Sequence, residues 1–213
     1  MAKLSFVRGA ATGKMGEFVG AKWKGINYIR LWAKPTNPRT EGQISIRLVF
    51  KALSLFATAL FNNGLLGLIP PARRMTERNS VFKANKHMLT DKTFTPATLQ
   101  VSKPNTTSRV IDMSATVTSN MLNLSAKFLE LDEIVEGDAY IVIYDAVKGL
   151  ILSVFKDELE NGVSIYQNGT PLPDGFGTPE GSQKEDCRAY FFAAGLDADG
   201  KKVISSTYSV ALS

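Results

Sequence analysis

From Phe94 onward the apolar residues of this chain stop recurring every third or fourth position and begin to alternate, in short runs separated by turns. A period near two, rich in β-branched and aromatic residues, marks half-buried strands; a period near 3.6 marks an amphipathic helix. One element cannot carry both patterns, so the switch, at roughly residues 92–97, divides the chain. Strands are predicted near 97–103, 108–118, 121–129, 138–145, 149–156, 162–166, 187–196 and 202–212. Turns fall at Ser119-Asn120, Glu136-Gly137, Lys148-Gly149, Asn168-Gly169 and Asp199-Gly200. The last of these joins two alternating runs and has the Asp-Gly signature of a tight hairpin. So many short strands in so few residues point to an antiparallel sandwich of immunoglobulin or fibronectin type III kind. The single cysteine, Cys187, excludes the disulfide-bridged variety. The Gly/Pro-rich stretch 167–186 reads as a long loop, a frequent contact element.

Upstream of the switch, Phe18, Trp23, Ile26, Tyr28 and Ile29 lie among Gly13, Gly16, Gly20 and Gly25. Two short strands turning near Lys24-Gly25 fit this pattern. A connector with Pro35 and Pro38 follows, and Thr40 with Gln43 forms a capping box. Ile44, Leu48, Lys51/Ala52, Leu55 and Ala59 then predict a helix over about 40–62, stopped by Asn62-Asn63-Gly64. Pro71 opens a second helix over 71–90. Its basic face holds Arg73, Arg74, Arg78, Lys83 and Lys86, and its apolar face Met75, Val81, Phe82 and Leu89. The fold class is therefore α+β: a small basic hairpin and two-helix subdomain at 1–95, followed by an acidic β-sandwich at 96–213.

Charge sharpens the same division. Residues 1–103 carry 17 Lys/Arg against 4 Asp/Glu, and residues 104–213 carry 8 against 16. Such a split suits contact with nucleic acid, association of the basic half of one copy with the acidic half of another, or a match within one molecule. No apolar run of signal length opens the chain, and the longest apolar stretch, Leu48 to Leu60, is broken by Lys51, Ser54 and Thr58. Membrane insertion is therefore not expected, and the expected place of action is the cytoplasm or a particle assembled there.

Catalytic constellations are scarce. The one histidine, His87, falls near the end of the second predicted helix, and no Gly-x-Ser-x-Gly elbow is present. One His and one Cys cannot build a structural zinc site. The Asp197-x-Asp199-Gly200 stretch resembles part of a calcium loop but has Tyr208 where the twelfth-position glutamate belongs. Gly13-Lys14-Met15-Gly16 matches a backbone-clamping GxxG loop without its flanking helices. No enzyme activity and no cofactor are expected. The residues most suited to an interface or an anion are the cations and rings of the basic half: Lys14, Lys22, Trp23, Lys24, Arg30, Arg39, Arg73, Arg74 and Arg78.

The block Gly13, Lys14, Gly16, Gly20, Trp23, Lys24, Gly25, Arg30, followed by Asn37, Pro38, Arg39, Thr40 and Gln43, resembles the opening signature of an uncharacterised domain family of Bacteroidota and their phages. Asn79, Phe82 and Asn85, and Ser205 with Tyr208, resemble its later features. The resemblance implies no activity; the phage setting implies a structural role. The expected function is a non-enzymatic assembly protein of a phage or phage-derived virion, oligomerising through its basic half, with itself and other structural proteins as partners. The apolar stretch Leu65–Ile69 would be buried between subunits. A nucleic-acid-binding protein, on DNA or RNA, and a host-adhesion module are the alternatives.

Overall fold

The computed structural model describes residues 3–5, 10–23, 26–33, 39–71, 75–118, 121–130, 132–158, 164–171, 176–177 and 181–213. It is an α+β protein with antiparallel sheets. The chain divides into two compact units, residues 1–40 and 41–213.

The first unit is a four-stranded antiparallel meander: β1 (Lys3–Ser5), β2 (Ala10–Met15), β3 (Phe18–Trp23) and β4 (Ile26–Leu31). The predicted pair of strands is β3 and β4. Two more precede them, joined to β3 by a tight turn at Gly16-Glu17 in which Gly16 takes φ 59°, a conformation open to glycine at no steric cost. The predicted turn at Lys24-Gly25 lies outside the described residues.

The second unit starts with α1 (Glu41–Asn62), close to its predicted span. Val49, Leu53, Phe56, Ala57 and Leu60 are buried on one side of this helix. They pack on a five-stranded sheet, ordered β11-β10-β7-β8 with β12 also paired to β10. Its strands are β7 (Glu136–Asp145), β8 (Leu150–Glu158), β10 (Cys187–Leu196), β11 (Lys202–Ile204) and β12 (Tyr208–Ala211). Tyr140, Val142, Tyr144, Tyr190 and Phe192 meet the helices; Phe56 lies edge-on to Tyr144, ring centroids 5.0 Å apart. The other face of the same sheet, with Ile141, Ile143, Ala189 and Phe191, meets Leu122, Leu124, Ala126 and Phe128 of a three-stranded sheet. That sheet runs β5 (Arg109–Thr118), β6 (Met121–Leu129), β9 (Ser164–Pro171). Strands β7 and β10 are covered on both faces, which explains their continuous apolar runs.

This layering moves the domain division. The sequence places it at 95/96, where periodicity changes; the structure places it between Thr40 and Glu41. The apolar face of α1 packs on the central sheet, and the helices and strands share one core. The same core takes in Leu65 and Ile69, which form a 3-10 turn and its end. Leu65 and Ile69 are thus covered by their own chain, and Leu66 and Leu68 are half-buried against the same core.

The helix predicted over 71–90 is two short helices, α2 (Glu77–Ala84) and α3 (Lys86–Asp91). Thr76 caps the first, its hydroxyl accepting from the Asn79 N–H at 3.3 Å. The break falls at Asn85, whose side chain turns inward. Its Nδ2 donates to the carbonyls of Val81 (2.9 Å) and Gln100 (2.7 Å), and its Oδ1 accepts from the Gln100 N–H (2.8 Å). The strand expected at 97–103 is instead a 3-10 turn at Pro96–Thr98 and an irregular segment. Side chains satisfy its backbone in place of a sheet: Thr207 Oγ1 accepts from Val101 N–H, and Asn85 Oδ1 accepts from Gln100 N–H. Asn168-Gly169, expected as a turn, sits within β9 as a register shift, with Gly169 at φ 70°.

The predicted turn at Glu136-Gly137 is the start of β7. Gly137 stands opposite Gly195 of β10, and Ile134 packs over the pair. A Cβ on Gly137 would lie 2.5 Å from the Ala194 carbonyl oxygen, so this crossing requires glycine for closeness rather than for φ.

Candidate protein–protein interface

The small sheet of residues 1–40 presents exposed apolar side chains on both faces. Every residue of β4 is exposed. Ile26 is 67% exposed, Ile29 63% and Leu31 66%. Cross-strand partners share a face. Met15, Phe18 and Leu31 therefore lie together with Ile29 on one side. Lys14, Val19 and Arg30 share the other with Ala21 and Tyr28. Trp32 continues that second face: the Lys14 ammonium sits 3.7 Å from the centre of its ring, and its backbone N–H donates to the Glu17 carbonyl at 2.6 Å. Contiguous exposed apolar surface of this kind marks contact sites on soluble proteins.

Of the residues singled out from sequence, this sheet brings Lys14 and Arg30 to one face and Lys22 to the other, all exposed. Arg39 is exposed beyond the sheet. Arg78 does something different. Its guanidinium donates to Ser54 Oγ (2.9 Å) and Thr58 Oγ1 (3.1 Å), tying α2 to α1. Lys24, Arg73, Arg74 and the side chain of Trp23 lie outside what the structure describes.

Sequence reasoning missed two surfaces. One is the outer face of α1. Leu48, Phe50 and Phe61 are exposed there, and a groove of about 440 Å³ runs between Ile46, Phe50 and Leu55 with Arg47 and Lys51 at its edges. The signal was the apolar character of the helix all round, where one face suffices for a surface helix. The helix is long and apolar enough to cross a membrane despite Lys51, Ser54 and Thr58, and its inner face packs in the core of the chain.

The other is an acidic pole. Strand pairing sets the start of β7 (Glu136, Asp138) against the end of β8 (Asp157, Glu158) and the end of β10. Asp132 and Glu133 on the connection into β7, and Asp197 after β10, gather around the same corner. Val135 stands at its centre, 69% exposed, between two grooves of about 530 and 280 Å³. Lys156 offsets part of the charge through Asp138, at 2.9 Å, which raises the Lys156 pKa. Pairing in β7–β8 could only be read once register was known, so the pole was not legible as a cluster.

The groups considered for chemistry are apart in character. His87 is exposed and shares a hydrogen bond with Thr98 Oγ1 at 3.2 Å. Cys187 is buried between the sheets, and burial pushes its thiol up to about 12, helped by the charges of Asp145 and Asp186. Gly13–Gly16 lies on β2 and its turn. Among the described residues, no three His, Cys, Asp or Glu side chains converge as a metal ion requires. Residues 10–118 match a protein family whose function is unknown. No curated protein matches the chain.

Proposed function

We propose that this chain, which belongs to the family of unknown function DUF6266, is a non-enzymatic assembly protein that oligomerises through its basic N-terminal sheet. One observation carries the reading: β4 is exposed along its whole length while presenting Ile26, Tyr28, Ile29 and Leu31. A sheet this small with uncovered apolar residues on both faces gains stability chiefly by adding a partner. The setting we favour, from the likeness of the Gly13–Arg30 and Asn37–Gln43 blocks to phage-associated sequences, is a phage or phage-derived virion, made in the cytoplasm. The paired sheets of residues 109–211 would act as an immunoglobulin- or fibronectin-like spacer. Light scattering on the eluting full-length protein tests this. Mass above the monomer that grows with protein concentration supports it, and a monomer at every concentration would rule it out.

A second reading is favoured by the face bearing Lys14, Arg30, Tyr28 and Trp32, because interleaved cations and rings suit phosphates and stacked bases. It requires single-stranded DNA or RNA to bind with an affinity that falls steeply with salt. Absent or salt-independent binding in an anisotropy titration removes it.

A further inference from the structure

We infer that the β1–β4 sheet of one copy seats on the acidic pole of a second copy, and that this head-to-tail contact repeats. The inference rests on the assembly reading and names its partner surface.

Charge comes first. Residues 1–40 hold eight Lys/Arg and a single acid, Glu17. Residues 104–213 hold twice as many acids as cations. The pole concentrates that excess: Glu136, Asp157 and Glu158 are all exposed, and Lys156 is engaged with Asp138. Each copy therefore brings both members of a complementary pair in equal number. Shape and polarity agree. The cationic face of the sheet is not purely charged; Val19 lies between Lys14 and Arg30 across the strands, and Tyr28 lies beside Arg30 on the same face. The pole is not purely charged either, since Val135 projects at its centre with a groove on each side. A polyanion would answer only the cations. A surface with acids around an apolar centre answers both, and such mixed contacts set register as well as attraction.

Sheet and pole are different surfaces, so the contact is heterologous. It closes into a ring if the rotation between copies permits and otherwise continues as a filament.

The test uses three full-length proteins: the wild type, a pole variant Glu136→Lys/Glu158→Lys, and a sheet variant Lys14→Glu/Arg30→Glu. All four positions are exposed. Wild type should exceed monomer mass at low salt. Its apparent Kd should rise at least about tenfold when salt goes from 50 mM to 500 mM, because exposed charges are screened over a few ångströms there. Each variant alone should be monomeric, since like charges then meet. Mixed in equal amounts they should assemble again, because the sheet of each now opposes the pole of the other. Rescue on mixing also shows that neither variant had merely misfolded. A pole variant that assembles like wild type, or a mixture that stays monomeric beside an assembling wild type, overturns the inference while leaving assembly through the sheet intact. A wild type that is monomeric throughout sinks both. If it also binds an oligo-dT probe through Lys14 and Arg30, the cationic face belongs to nucleic acid instead.

Discussion

Asn85 is fully buried, and its amide is used at both ends, toward Val81 in its own helix and toward both backbone groups of Gln100. Gln100 passes the connection on, its side chain bonded to the N–H and carbonyl of Thr207. Asn85→Ala would strand the Gln100 N–H and carbonyl in the interior. It should cost about 1–3 kcal/mol by the usual penalty for unpaired buried polar groups. A urea midpoint unchanged from wild type would show that water replaces the amide. Cys187 makes a second point at this scale. A buried thiol held up to about 12 is neutral at ordinary pH and out of reach. An aromatic disulfide reagent should label it only after denaturant is added. The sign of the pH effect follows: the folded state keeps the proton that the unfolded chain loses near pH 9, so this stabilisation is full below pH 9 and drains away between about 9 and 12. Burial also raises Tyr144 and Tyr190, which add in the same direction. Urea midpoints should therefore fall over that window, and a flat profile would contradict the burial of these groups.

At the scale of elements, α1 has two apolar faces with different fates. Leu53 is wholly buried against the central sheet, whereas Leu48 is exposed. Leu53→Ala should cost about 2–5 kcal/mol, as large-to-small changes in packed cores do. Leu48→Ser should change stability by about 0.5 kcal/mol or less, the usual range for surface positions. Chemical denaturation of the two variants side by side measures the contrast, and equal losses would mean that the outer face is covered in the folded chain. Helix α1 and β5, β6, β8 and β10 were readable within a few residues because their apolar spacing is strong and local. The rest depended on partners distant in sequence. Residues 97–103 look like a strand, but Thr207 and Asn85, on other elements, satisfy their backbone. Residues 77–91 look like one helix, but Asn85 finds Gln100 and ends the ladder. Strand β2 reads Ala-Ala-Thr-Gly-Lys-Met, too small and too rich in alanine and glycine to alternate visibly. Of the candidate interface, the cations were legible and their sorting onto faces was not. Register decides which side Lys14 and Lys22 take, and register is a property of pairs of strands.

For the molecule as a whole, the central sheet is the common wall of both cores of residues 41–213, and its inner strands are β7 and β10. This unit cannot be divided at the change of sequence pattern without opening the core above β7 and β10, so the helices of the basic half and the strands of the acidic half form one folding unit. The arrangement also has a cost in time. Leu60 of α1 leaves the ribosome about 130 residues before Tyr190, one of the aromatic side chains that closes the core beneath it. At about 5–20 residues per second, the inner face of α1 waits on the order of ten seconds for its cover. Nascent chains arrested before β10 should be cut within α1 by a dilute protease, and chains arrested far enough beyond Ser213 to clear the exit tunnel should resist. Equal resistance in both would mean that α1 finds shelter earlier. A helix this apolar, waiting that long, makes the newborn chain a natural client for chaperones that hold exposed hydrophobic segments during synthesis.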